Sequence, residues 1–298
     1  MAGKGMRILE RLAGSPDWGT RPDDYDPEFV REIRTRVGRL FGPEGWFHID
    51  ARGWENVPSP PVLLVSNHSG GTIIPDLWGL MYAWMQRHEG DRIVHPMGHD
   101  MIFSLEGVAR SFSKMGVMKA RPEHALDVLT RLQRDVLVCP GGEKDTWRPY
   151  KDRYKVRFSG RKGYARIAVR SGVPIVPVAN AGAHETLIVL TDGAPIARLM
   201  GLPRNFRAEI FPIHLSVPWG LAAGPLPHLP MPAWLSYRFG IPIPPPTGMP
   251  EESAVDLLDF QVQEAIQGLL DQLRHERPRL RVRAGHTARA LRRVARRR

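Results

Sequence analysis

The run Val62-Leu63-Leu64-Val65-Ser66-Asn67-His68-Ser69-Gly70-Gly71-Thr72-Ile73-Ile74-Pro75-Asp76 decides how the rest of the chain is read. Four apolar residues between Pro61 and Ser66 predict a short buried strand. A polar Asn67-His68 pair follows, then a Gly-rich bend, and Pro75 can open a helix at its first position. A His at the end of a buried strand with an Asp shortly after is suited to acid/base work. The imidazole takes a proton near neutral pH, and a carboxylate can fix its tautomer and steady the imidazolium. The same residues also suit a loop His that hydrogen-bonds only locally.

Working outward, Val136-Leu137-Val138-Cys139 is a second short apolar run, stopped by Pro140-Gly141-Gly142, and Val173 to Val178 is a third. Helical patterns lie between them, from Pro75 to about Gln86, from Pro122 to Arg134 and from about Arg161 to Ser171. Strands alternating with helices predict an α/β fold, a central mixed sheet flanked by helices. Phe47, Ile49 and Ala51 alternate with Trp46, His48 and Asp50, which adds a strand with one more polar face. Residues 93–118 are apolar with three glycines and fit neither period. The stretch after Val189 reads as a continuation of the same domain. Pro218 to Pro250 holds ten prolines among Trp and Leu residues and reads as a membrane-facing surface or a strap packed on the sheet.

Asp26, Pro27 and Glu28 predict a helix start. Phe29, Val30, Ile33, Val37, Leu40 and Phe41 then recur at helical spacing among Arg31, Arg34, Arg36 and Arg39. This N-terminal amphipathic helix suits either the core or a membrane surface. A last amphipathic helix runs from about Glu251 to His275, followed by an Arg-rich tail. The expected division is an N-terminal segment over residues 1–44, a main domain over 45–275 and a basic tail over 276–298.

The net charge of +11 is concentrated in that tail. From Arg274 to Arg298 there are 11 Arg and one acid, Glu276, a balance of +10, which leaves +1 for the other 273 residues. A nearly neutral body with a basic tail suits a phosphate-rich surface, lipid headgroup or nucleic acid, or a solvated tail; of these an anionic membrane surface, without nucleic acid, is the expectation. One cysteine, Cys139, excludes an internal disulfide framework and a Cys-based zinc site, and no metal site is expected. Met1 to Leu12 is basic but lacks the apolar run of a signal peptide, and no run has the length of a membrane span. A cytoplasmic protein, peripheral at the inner face of a membrane, is the expectation.

Two further clusters carry chemistry. Lys114-Met115-Gly116-Val117-Met118-Lys119-Ala120-Arg121 leads into a helix N-terminus, so Lys119 and Arg121 could hold an anion such as a phosphate. A solvated turn is the other reading. In Pro140-Gly141-Gly142-Glu143-Lys144-Asp145-Thr146-Trp147-Arg148, Gly141 and Gly142 allow close approach to the backbone, and Glu143 could orient a hydroxyl or a cationic partner. Cys139 reads as a small buried hydrophobe rather than a nucleophile.

The order Asn67-His68…Asp76, Gly116-Val117…Arg121, Pro140-Gly141-Gly142-Glu143, Val173-Pro174-Ile175-Val176-Pro177-Val178 resembles the four blocks of the glycerolipid acyltransferase superfamily. The Pro-Gly-Gly form of the third block looks more like its diacylglycerol acyltransferase-like branch. Gly240-Ile241-Pro242-Ile243 is similar to the family's closing block, so the resemblance spans roughly residues 45–250. It implies transfer of an acyl group from acyl-CoA or acyl carrier protein to a hydroxyl of a glycerolipid, without a cofactor. His68 would be the general base and Asp76 its orienting carboxylate. Lys119 and Arg121 would lie near an anionic group, with Gly141, Gly142 and Glu143 shaping the acceptor side.

Two departures stand out. The family usually has four residues between His and Asp; His68 and Asp76 have seven. Gly70 and Gly71 would let the loop bulge and return the carboxylate. The literal four-residue spacing occurs at His95 and Asp100, but His95 follows no clear strand and lies too close to Pro140. Glu143 is one residue later than the Glu of the common third block. Rival readings are a non-catalytic membrane- or nucleic-acid-binding protein and a lipid hydrolase or thioesterase, for which a Gly-x-Ser-x-Gly elbow is lacking.

Overall fold

Alternation along the strand that ends at His68 places Val62 and Leu64 in one apolar layer and Leu63 and Val65 in another. A strand apolar on both faces needs cover on both, and helices supply it. A computed structural model describes residues 18–42, 45–202, 209–278 and 280–296 of the chain. The expectations for the first 17 residues, including the missing signal peptide, lie outside the described residues. So do Pro43, Glu44, Arg279 and the last two arginines of the tail.

The strands are β1 (Phe47–Arg52), β2 (Leu63–Ser66), β3 (Val94–Gly98), β4 (Met118–Lys119), β5 (Asp135–Val138), β6 (Ile175–Ala181), β7 (Ile188–Thr191), β8 (Ile213–Ser216), β9 (Gly220–Ala223) and β10 (Ala233–Phe239). The helices are α1 (Pro27–Phe41), α2 (Pro75–Arg87), α3 (Glu106–Lys114), α4 (Pro122–Thr130), α5 (Gly142–Thr146), α6 (Gly163–Ser171), α7 (Ala194–Leu199), α8 (Glu251–Glu276) and α9 (Leu280–Ala295). The main sheet has the order β1-β10-β6-β2-β5-β3-β4, and β7-β8-β9 form a separate sheet. All neighbours in the main sheet pair parallel except β10 with β6. The sheet is therefore mixed, and the ends of β2, β3, β4, β5 and β6 share one edge.

Leu63, Val65, Val136 and Ile175 pack with Val128 of α4, Ala165 of α6 and Val262 of α8 on one face. Val62, Leu64, Val176, Tyr237 and Phe239 pack with Leu80 and Trp84 of α2 on the other. Asp26 caps α1 by accepting from the Glu28 and Phe29 amides, which satisfies orphan donors of the first turn. Val30 and Phe41 of this amphipathic helix are buried, and Phe41 stacks on Tyr82 of α2 at 5.4 Å. Its apolar stripe thus faces the body.

Two regions differ from the sequence reading. The Pro-rich stretch contains β10, a buried strand between β1 and β6, because Leu235, Tyr237 and Phe239 alternate with Trp234, Ser236 and Arg238. β7, β8 and β9 form the small sheet before the chain returns to the main one at β10. The basic end is not an extended tail: α9 packs back, with His286 Nε2 3.2 Å from the Gly45 carbonyl and Thr287 Oγ1 donating to the Pro232 carbonyl at 3.0 Å. Arg277 and Arg283 both pair with Glu185, whereas Arg289, Arg292 and Arg296 are exposed.

Candidate active site

β2 starts at a fixed point. The Val62 amide donates to Asp135 Oδ1 at 2.9 Å, and Asp135 is held in turn by Arg92 at 2.5 Å. Four residues later the strand ends at Ser66, and Asn67 takes over the pairing. Asn67 Nδ2 donates to the Asn180 carbonyl at 2.9 Å, and the Asn180 amide donates to Asn67 Oδ1 at 2.8 Å. Asn180 Nδ2 also donates to the Asn67 carbonyl, and Ser69 Oγ donates to Asn180 Oδ1 at 3.1 Å. The chain leaving β2 is thereby stitched to the end of β6.

The loop then turns through Gly70 (φ 97°) and Gly71 (φ 67°), left-handed conformations that glycine adopts without a Cβ clash. Ile74 is also left-handed at φ 47°, a costly conformation for a β-branched residue that persists where its surroundings hold it. These turns take up the extra residues between His68 and Asp76. Asp76 lies in the first turn of α2, where the helix N-terminus favours a negative charge. Its Oδ2 accepts from the Ser69 amide at 2.7 Å and lies 2.7 Å from His68 Nδ1. Asp76 is 1% exposed and His68 is 9% exposed. With a carboxylate against Nδ1, the neutral ring carries its proton there and leaves the Nε2 lone pair available as a base.

The backbone of His68 is held as well. Its amide donates to Asp145 Oδ2 at 2.5 Å, and Asp145 forms an ion pair with Arg148 in which both side chains are buried. Gly141 makes this possible, since a Cβ there would overlap Asp145. Tyr237 of β10 donates its hydroxyl to the Asp76 carbonyl at 2.7 Å, through space left by Gly79. Burial, and then the Asp76 charge, raise the Tyr237 hydroxyl and the Cys139 thiol well above their usual ranges. Both stay protonated at neutral pH, so Cys139 does not supply a thiolate.

The other sequence candidates lie apart from this centre. β4 is three strands from β2 in the sheet, a lateral distance of about 14 Å. Arg121 pairs there with Asp100 at 3.1 Å, both exposed, and Lys119 Nζ sits 5.8 Å over the Phe103 ring. The space beside Gly142 is filled by Arg161, whose Nη1 donates to the Pro140 and Gly141 carbonyls at 3.3 and 3.1 Å. Glu143 Oε1 accepts from the Glu209 amide at 3.0 Å. Thus Gly141 and Gly142 admit the protein's own side chains, and Glu143 ties α5 to the chain before β8. Asp145, Arg148, Asn180 and Tyr237 went unassigned in the sequence. Their signal was a charged pair at i, i+3 beside a glycine turn, and polar residues inside apolar strands. Among the described residues no group of His, Cys, Asp or Glu is placed to hold a metal ion.

The family model described as Acyltransferase matches residues 48–181, which contain His68, Asp76, Asp145 and Asn180. The match marks an acyltransferase domain in this part of the chain. It is 31% identical over 238 residues to an uncharacterized protein of Mycobacterium tuberculosis, covering 79% of this chain and 62% of that one. It is 24% identical over 226 residues to a Gallus gallus protein named DGAT1/2-independent enzyme synthesizing storage lipids, covering 76% and 60% of the two. The chain therefore spans less than two thirds of the length of these curated relatives. A solved structure of the 1-acyl-sn-glycerophosphate acyltransferase PlsC from Thermotoga maritima is similar at a TM-score of 0.45 and 17% identity, covering 82% of this chain and 78% of that one.

Proposed function

We propose that this protein moves an acyl group from an acyl thioester, acyl-CoA or acyl carrier protein, to a hydroxyl of a glycerolipid or related lipid. The observation that carries the reading is the 2.7 Å contact between His68 Nδ1 and Asp76 Oδ2. His68 Nε2 takes the proton of the acceptor hydroxyl as its oxygen attacks the thioester carbonyl. The tetrahedral intermediate collapses with loss of the C–S bond, and the imidazolium returns the proton to the departing thiolate. Asp76 keeps the ring in one tautomer and offsets its charge. No acyl-enzyme is needed, in keeping with a protonated Cys139.

The acceptor class follows the family and the printed name of the Gallus gallus relative. The diacylglycerol acyltransferase-like third block points to a neutral glycerolipid. This fits the distance between His68 and the cations Lys119 and Arg121, where a headgroup phosphate would otherwise be sought. Exposed Arg289, Arg292 and Arg296 on α9 offer charge to an anionic lipid surface. No helix among the described residues is long and apolar enough to cross a membrane.

The test is acyl transfer from labelled acyl-CoA to a panel of mono- and diacylglycerols and lysophospholipids by the purified chain. The His68→Ala variant is expected to lose roughly 10²–10⁴-fold in rate while keeping the wild-type circular dichroism spectrum. Undiminished transfer in that variant would remove His68 from the mechanism.

A further inference from the structure

From Ile210 to Tyr237 the chain has 28 consecutive residues without Asp, Glu, Lys or Arg, in a protein that is 24% charged. Its two histidines do not add charge. Burial holds His214 below its usual range and, with His214 close by, takes His228 down to about 4. This stretch forms β8, β9 and the path to β10, and β8 is patterned in reverse. A two-sided antiparallel sheet ordinarily turns polar residues to water and apolar ones inward. In β8 the inward residues are His214 and Ser216, at 0% and 8% exposure, and the outward Leu215 is 45% exposed.

Leu215 pairs directly with Leu221 of β9, which is 68% exposed. Val217 bridges to Leu229, which is 64% exposed, and extends the same ridge. At the hairpin turn Trp219 is 51% exposed, its indole N–H donating to the Pro227 carbonyl at 2.6 Å. The exposed residues form an uncharged leucine ridge with a Trp at its tip. It matches the apolar and interfacial zones of a lipid leaflet, where Trp is enriched.

The hairpin is also joined to the candidate site. Thr72, within the loop between His68 and Asp76, donates to the Pro225 carbonyl at 3.1 Å. On the inner side, Gly71 faces His228, Leu187 and Trp147. We propose that the β8–β9 hairpin is a lipid-docking wedge, its outer face of Leu215, Val217, Trp219, Leu221 and Leu229 entering one leaflet and setting the His68 loop at the membrane surface. The wedge stands independently of the acyl-transfer reading, since its binding is measured without turnover.

The experiment is flotation of the full chain with phosphatidylcholine vesicles, and separately with phosphatidylcholine–phosphatidylglycerol vesicles at low and high salt. Wild-type protein is expected to float with the neutral vesicles. Combined Leu215→Ser, Trp219→Ser and Leu221→Ser should lower that partition roughly 100-fold. A control pair on the outer face of α8, Leu257→Ser and Phe260→Ser, should leave it unchanged. Should the triple variant misfold, Leu221→Ser alone is expected to cost roughly tenfold. Three results would overturn the wedge. They are wild-type binding only to anionic vesicles and abolished by salt, equal loss in the control pair, or a wild-type dimer in light scattering that the triple variant converts to monomer. A wild-type chain that floats but transfers no acyl group would count against the proposed function and leave the wedge standing.

Discussion

Two His…Asp pairs in this chain invite the same chemistry and meet different fates. His95 and Asp100 have the four-residue gap usual in the family, while His68 and Asp76 are separated by seven residues. His95 lies inside β3 at 0% exposure, its Nδ1 3.0 Å from the Gly116 carbonyl, while Asp100 is exposed and pairs with Arg121. His68 sits just beyond the end of β2, and two left-handed glycines fold the longer loop back until its carboxylate reaches the ring. Spacing counts residues, whereas contact depends on where the strand stops and how the backbone turns. A His within a strand has its backbone committed to the ladder and its ring to a buried face. A His two residues past the end can be aimed by a loop.

The two pairs can be pulled apart by measurement. Loss of acyl transfer in His68→Ala is one arm. The next largest effect is expected at the support beneath His68. Asp145→Asn removes one member of a buried ion pair and leaves the Arg148 charge uncompensated, which costs about 3–5 kcal/mol. Urea unfolding at pH 7.5 would show it as a lower midpoint with an unchanged slope. A change below about 1 kcal/mol would mean that Asp145 does not hold the loop electrostatically.

At His95 the expected signature is acid sensitivity. Burial takes its pKa down to about 4, with the Gly116 carbonyl opposing. An unfolded His titrates near 6.5. Between those values the unfolded chain binds the extra proton, so stability falls as pH is lowered. From pH 7 to pH 5 the loss is on the order of 2 kcal/mol from this group. Unfolding free energies of wild type and His95→Gln across that range would isolate it, because the variant should have the flatter profile. Parallel profiles would show that His95 titrates alike in the folded and unfolded chain.

The smallest effect is expected at the exposed partner. Arg121→Ala breaks a solvent-screened pair with Asp100 and should change stability by less than about 1 kcal/mol. Its KM for a neutral glycerolipid acceptor should also be unchanged. A several-fold rise in KM for a phosphate-bearing acceptor would instead show that a substrate spans the sheet edge from β2 to β4.

Much of the fold was legible because the information is local. Short continuous apolar runs marked β2, β5 and β6, and Asp26-Pro27 and Pro75 marked helix starts. The stripe Val255, Leu258, Val262, Ile266, Leu269 and Leu273 marked the inner face of α8, where all but the half-buried Leu269 are buried and Leu270 joins them. The Gly-Gly bulge before Asp76 was readable too, since glycine is the residue that left-handed turns favour. β3 and β10 were harder. Pro96 and His95 interrupt the apolar pattern of the one, and flanking prolines disguise the other as a strap.

Sequence by itself determined the α/β alternation, the polar Asn67-His68 pair at a strand end and the concentration of arginine near the C-terminus. Tertiary structure alone decided which of these meet. It seated β10 between β1 and β6 and brought Asp145 under His68 from 77 residues away. It set Lys119 and Arg121 three strands off, and it spent Arg277 and Arg283 on Glu185. The reason is physical. Strand and helix tendencies arise from residues within one or two turns of each other. Strand order and cross-chain pairing arise from burying two faces of one sheet at once, a condition that no single stretch contains.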